Sequence, residues 1–370
     1  MKQTVDSIRR QYSPDSRDEV FEVRILNVDG KPVATGFTTL PEAKAALMGC
    51  LCVEDPDVGD SITLLPAQAL GDMTYGVVNI SVADLRVSAD YAAEMATQQL
   101  LGAPVQLQQE AGWLRVRTAE GYLAWMERSA VVRMTKEAFN QWTAAPKVIF
   151  TSEYGFAFEA ADDNSQHISD LVFGNMLKLE GESGGWYRAT YPDGRNAFVK
   201  KSQSALFDEW LKSIQLTGDN IIGKARTLNG IPYTWGGTST KAMDCSGFVK
   251  TVMLMHGLIL RRDASQQAKT GIPIDISQGY DSLQAGDLLF FGKAAQEGRS
   301  ERVRHVAIYM GDQRFIHAAG YVHISSLNPE APDYDAHNTS ELIRATRIIG
   351  AVNTLGIWEL WNNPLYKEQK

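Results

Sequence analysis

A glycine-rich loop that empties into an apolar helix constrains this chain more than any other feature. Tyr233-Thr234-Trp235-Gly236-Gly237 is followed by Asp244-Cys245-Ser246-Gly247 and then by Phe248, Val249, Val252, Met253, Leu254 and Met255, with no glycine or proline among residues 248–256. Such a run reads as a buried helix with Cys245 in its first turn. A thiol there feels the positive end of the helix dipole and the unpaired first-turn N–H groups, both of which favour thiolate. Asp244 or Ser246 is placed to cap the turn, and the next amides to donate to an oxyanion. An isolated cysteine among apolar residues is also simply a small hydrophobe. Two features set this one apart: glycines that let backbone approach backbone, and a polar motif where a plain core helix would be apolar.

A thiolate nucleophile needs a base, and the base needs an orienting partner. Residues 287–291 and 304–310 read as buried strands, Gly311-Asp312 as a turn and residues 314–318 as the returning strand. If the hairpin closes over Gly311, residues whose numbers sum to 622 face each other, which puts His305 opposite His317 with Cβ atoms about 5 Å apart. His256, His323, His337 and Asp275 read as structural or surface residues.

With these residues in place, the chain resembles the NlpC/P60 cysteine peptidases, whose signature is a Tyr-x-Trp-Gly-Gly loop, an Asp-Cys-Ser-Gly-Phe nucleophile turn and a His-Val-[Gly/Ala]-Ile-Tyr strand. The resemblance implies a papain-like fold with Cys245 as nucleophile, His305 as base and His317, one strand later, as its orienter. It also implies that the Tyr233 phenol points at the nucleophile site, beside Asp244 and Ser246. No cofactor or metal is implied.

At 370 residues the chain exceeds one comfortable domain. Its net charge of −8, without a basic stripe, argues against nucleic acid or an anionic membrane as partner. No apolar run has the length of a membrane span, and residues 1–10 do not read as a secretion signal, which points to the cytoplasm without excluding export. Three cysteines make no disulfide framework, and Cys50 and Cys52 read as packing residues.

Residues 1–72 read as a small α+β module. It has a strand over 20–26, an Asp29-Gly30 hairpin turn, a second strand through Phe37, and a helix opened by Leu40-Pro41-Glu42 that reaches Leu51. The middle of the chain carries an internal repeat. Gly112-Trp113, Gly121 and Trp125 recur at matching offsets as Gly185-Trp186, Gly194 and Phe198, each set preceded by a glycine, Gly102 or Gly174. Short strands between such turns suit small β-barrels. The expected organisation is a first barrel over 73–143, a linker at Ala144-Ala145-Pro146, a second barrel over 147–210, a peptidase domain over 211–355 and a tail over 356–370. The fold class is α+β.

The repeat resembles tandem bacterial SH3 domains. Among NlpC/P60 proteins, the subgroup that pairs such domains with an N-terminal extension comprises γ-D-glutamyl-L-diamino-acid peptidases. The resemblance implies hydrolysis of the γ-D-Glu–diamino acid bond in murein tri- or tetrapeptides with a free N-terminal L-Ala, with a barrel walling off one end of the cleft. It also implies that Asp263 binds the substrate amine, joined by Tyr122 and Glu94 from the first barrel, where Ala124 stands in place of the subgroup's glycine. Two other readings are a non-catalytic peptidoglycan-binding scaffold and a related thiol amidase or acyltransferase.

Overall fold

The computed structural model describes residues 1–367; residues 368–370, the end of the expected tail, lie outside it. The N-terminal part is a three-stranded sheet backed by two helices, Lys2–Tyr12 and Pro41–Glu54. Strands Phe21–Val28 and Lys31–Thr38 form a hairpin whose turn residues, Asp29 and Gly30, both have positive φ (52° and 82°), as a two-residue turn matched to strand twist requires. Pro41 occupies the first turn of the second helix, and Ala43, Leu47 and Leu51 recur at every fourth residue on its buried face. Cys50 and Cys52 flank Leu51 on the outward side and are exposed, so they are not packing residues. The helix period settles this, because positions 50 and 52 lie about 100° to either side of the buried stripe.

Two seven-stranded antiparallel sheets follow, each coiled around its own core. Trp113 and Trp186 each open a strand, and glycines at matching places turn the chain with positive φ: Gly102 and Gly174 at 82° and 88°, Gly121 and Gly194 at 88° and 90°. The expected barrels are not closed, since each strand ladder has two ends. In the first module one end is the strand Met95–Leu100. Its outer edge is covered by the C-terminal domain, where Thr238 donates from N to Gln98 Oε1 (2.9 Å) and from Oγ1 to Gln98 O (3.1 Å). An edge met by a neighbouring domain no longer needs closure on itself. A helix, Lys136–Ala144, precedes the expected linker; Thr135 caps it, and Phe139 and Trp142 bury its inner face.

The C-terminal part packs the helix Cys245–Leu254 onto a six-stranded antiparallel sheet. Phe248, Val249, Val252 and Met253 share one core with Val306, Ile308, Ile316 and Ala318. A Cβ at Gly247 would stand 1.9 Å from Gly237 O, and one at Gly236, itself at φ 80°, would stand 2.4 Å from Met95 O. The glycines therefore let the loop lie against both the helix and the first SH3-like module. Within the expected tail, Ile357–Glu359 pairs with Leu258–Leu260, and Ile357 and Leu360 are buried, so pairing continues past residue 355.

The hairpin carrying the two histidines is not closed over Gly311. Its tip is Asp312-Gln313, both with positive φ (49° and 57°), and a bulge lies between Tyr309 and Gly311. Ile308 pairs Ile316 and Tyr309 pairs Phe315, so Ala307 rather than His305 is level with His317. The extra residue of the bulge shifts the ladder. His305 and His317 are diagonal neighbours on one face, and the residue directly opposite His317 is His323 on the next strand.

Candidate active site

The first turn of the Cys245–Leu254 helix is held by one carboxylate. Asp244 caps it, accepting from Gly247 N at 2.7 Å through Oδ1, while its Oδ2 accepts from Gly236 N at 2.9 Å. A buried guanidinium completes the arrangement. Arg262, 1% exposed, donates to both Asp244 oxygens (3.2 and 2.6 Å), to Ser246 Oγ (2.8 Å) and to Thr97 Oγ1 of the first SH3-like module (2.9 Å). Sequence reasoning missed Arg262. It sits 18 positions from Asp244 beside an equally charged Arg261, and nothing in the sequence distinguishes the inward guanidinium from the outward one.

Cys245 is 7% exposed, and the backbone amides of Val306 and Ser246 favour its thiolate form. Val306, which shares a core with Cys245, directly follows His305 on the strand Arg302–Gly311. His305 Nε2 lies 2.8 Å from His317 Nδ1. Tyr233 packs against the same core; burial first, then the charges of Cys245 and Asp244, push its phenol well above the usual value. Burial, reinforced by Asp244, pushes the Cys245 thiol up to about 12, against the pull of the amides and Arg262. Burial and then Arg304 push His305 down to about 4. Burial therefore acts against the expected thiolate: its effect on both the thiol and the imidazole opposes that of the helix end.

The cleft over Cys245, about 410 Å³, is lined by Glu94, Tyr122, Trp235, Asp263, Arg302 and Arg304, with one unexpected visitor from the N-terminal module, Arg17. Arg17 donates to Asp263 Oδ2 (2.7 Å), Ser265 Oγ (3.0 Å) and both oxygens of Asp15 (2.7 and 2.6 Å). Asp263 also accepts from the Tyr122 hydroxyl at 3.3 Å and forms a capping box with Gln266 on the short helix Ala264–Gln267. Glu94 Oε1 accepts from Trp235 Nε1 at 2.6 Å on the rim. Asp263, Tyr122 and Glu94 thus line one cleft, but none is an unengaged acceptor.

Three buried histidines are held neutral. Burial lowers His256 and His305, and lowers His317 to about 2 with help from His305 and His323. A folded-state value below the unfolded one of about 6.5 gives stability that is complete above pH 6.5 and is lost as pH falls through the folded values. The melting temperature is expected to drop as pH falls from 6.5 to 4, where His305 takes up its proton. A His305→Gln/His317→Gln variant should show a flatter profile in calorimetry. An equal slope in the variant would mean that these rings are solvated in the folded protein.

The NlpC/P60 family profile matches residues 230–341, and a profile described as the bacterial dipeptidyl-peptidase Sh3 domain matches residues 85–131. A gamma-D-glutamyl-L-lysine dipeptidyl-peptidase of Bacillus cereus is 30% identical over 236 residues, 61% of this chain and 68% of that protein. Dipeptidyl-peptidase 6 of Lysinibacillus sphaericus is 28% identical over 70% of this chain and 93% of its own length. The crystal structure of an NlpC/P60 family protein from Bacillus cereus superposes with a TM-score of 0.63 at 25% identity, covering 74% of this chain and 99% of that one. The chain belongs to the NlpC/P60 family. It is a cysteine peptidase with an SH3-like module, of the kind that acts on peptidoglycan.

Proposed function

We propose that the chain hydrolyses the γ-D-Glu–diamino acid bond of murein peptides that begin with a free L-Ala, releasing L-Ala-γ-D-Glu. In this reading Cys245 sulfur attacks the γ-carbonyl carbon as its proton passes to His305, and the helix-end amides receive the oxyanion. Collapse breaks the C–N bond, and His305 returns the proton to the leaving amine. Water, deprotonated by His305, then cleaves the thioester. His317 orients His305.

The observation that carries the reading is the composition of the cleft, which is lined by the carboxylates of Asp263 and Glu94 and by Tyr122. Arg17 is shared between Asp15 and Asp263, so Asp15, Arg17 and Asp263 together carry −1, with Arg262 3.9 Å from Asp263. Charge-assisted hydrogen bonds contribute about 1.5–3 kcal/mol each, and an acetylated amine would leave the acceptors desolvated. L-Ala-γ-D-Glu-L-Lys is expected to be cleaved at the D-Glu–Lys bond at least ~100-fold faster than its N-acetyl form, read by chromatography of the products. Equal rates would sink amine recognition while leaving the Cys245–His305 chemistry standing.

A further inference from the structure

The strand Tyr321–Ser326 brings a third imidazole into line with the two already described. His323 Nε2 lies 3.1 Å from His317 Nε2, and His323 Nδ1 lies 2.9 Å from the carbonyl oxygen of Tyr321. Ser325 Oγ is 3.3 Å from the same His317 nitrogen. The sequence signal for His323 was available: closing the hairpin over Gly320, whose φ is 75°, pairs residues whose numbers sum to 640 and sets His317 opposite His323.

We infer that His323 is a positioning residue that, with the Tyr321 carbonyl, sets the tautomers of His317 and His305 and leaves His305 Nδ1 bare to take the Cys245 proton. The inference rests on the proposed role of His305 as base. A carbonyl only accepts, so the hydrogen of a neutral His323 sits on Nδ1 and its Nε2 is a lone pair. His317 Nε2, facing that lone pair, therefore carries the His317 hydrogen. His317 Nδ1 is then an acceptor, and the hydrogen in the 2.8 Å contact belongs to His305 Nε2. One hydrogen remains on each ring, and none is left for His305 Nδ1. The burial that keeps His305 and His317 neutral makes this choice of nitrogen decisive, because a neutral ring with its hydrogen on the wrong atom is no base. With a single hydrogen on the His323 ring, running every bond the other way would require the Tyr321 carbonyl to donate.

Two variants and one spectrum test the inference. His323→Leu keeps bulk and removes the acceptor, whereas His323→Gln restores an acceptor through Oε1 and a donor for Tyr321 O through its amide. With L-Ala-γ-D-Glu-L-Lys as substrate, His323→Leu is expected to lower kcat about 10-fold with KM within about twofold, the loss being moderated by Ser325 as a substitute acceptor. His323→Gln should stay within about threefold of the parent kcat. Long-range ¹H–¹⁵N correlation spectra of the ¹⁵N-labelled free protein should show Nε2–H on His305 and His317 and Nδ1–H on His323. In His323→Leu a population of His305 with hydrogen on Nδ1 should appear. His305 carrying Nδ1–H in the parent protein, or equal losses in the Leu and Gln variants, would overturn the inference. The spectrum needs no substrate, so the expected tautomers in a protein that cleaves no murein peptide would support the relay and reject the peptidase reading alone.

Discussion

Cys245→Ser is expected to lower kcat on L-Ala-γ-D-Glu-L-Lys by about 10⁴-fold or more, with the melting temperature little changed. A hydroxyl is a far weaker acid than a thiol, so proton loss from it to an imidazole whose basicity burial has lowered is the harder step. The swap removes little volume, and the cap, the Arg262 cluster and the apolar face of the helix do not depend on the sulfur. His305→Ala should cost about 10³–10⁴-fold, since proton transfer fails in both half-reactions. His317→Ala should leave weak residual activity, because an orienter contributes geometry rather than transfer. Single-turnover assays beside circular dichroism separate lost chemistry from lost fold. Near-parental turnover by Cys245→Ser would end the thiol mechanism and require some other nucleophile.

Arg262→Met is the substitution expected to damage the fold most. It removes the cation and leaves Asp244 buried with a charge, a situation that costs about 3–5 kcal/mol when one partner of a buried pair is deleted. The harm extends beyond stability, because Asp244 holds Gly236 and Gly247 together and Arg262 reaches Thr97 in the first SH3-like module. A second change, Asp244→Asn, should recover part of the loss by deleting the stranded charge, which a double-mutant cycle in denaturant would register as coupling. A loss below about 1 kcal/mol in Arg262→Met would show that Asp244 finds water in the folded protein.

What could be read from residue order was what lies close along the chain. The helix opened by Asp244-Cys245-Ser246-Gly247 was legible because cap, thiol and apolar stripe are contiguous, and the histidine strands because alternation and turn residues are local. The register between those strands was not, since a bulge beside Tyr309 leaves no mark in composition. Neither was the upward push of burial on the Cys245 thiol, because desolvation depends on everything packed around Cys245 rather than on its own helix. Arg17 at Asp263 was out of reach for a simpler reason. The two are 246 positions apart, and charged residues on a module without apparent chemistry offer no hint of where they dock.

That separation bears on how the molecule comes into being. The segment around Arg17 is tied to the C-terminal domain by Asp18 with Arg261, by Gln266 with Asp18 at 2.9 Å and by Arg17 with Asp263. In vectorial synthesis the carboxylates and guanidinium of residues 15–18 leave the ribosome long before their partners. At about 5–20 residues per second, roughly 12–50 s pass before residues 261–266 follow. During that interval the N-terminal modules can fold, but the nucleophile helix and both histidine strands do not yet exist as a surface to dock against. The hydrolytic cleft is therefore assembled last, and a chain that stops before the histidine strands carries no competent peptidase.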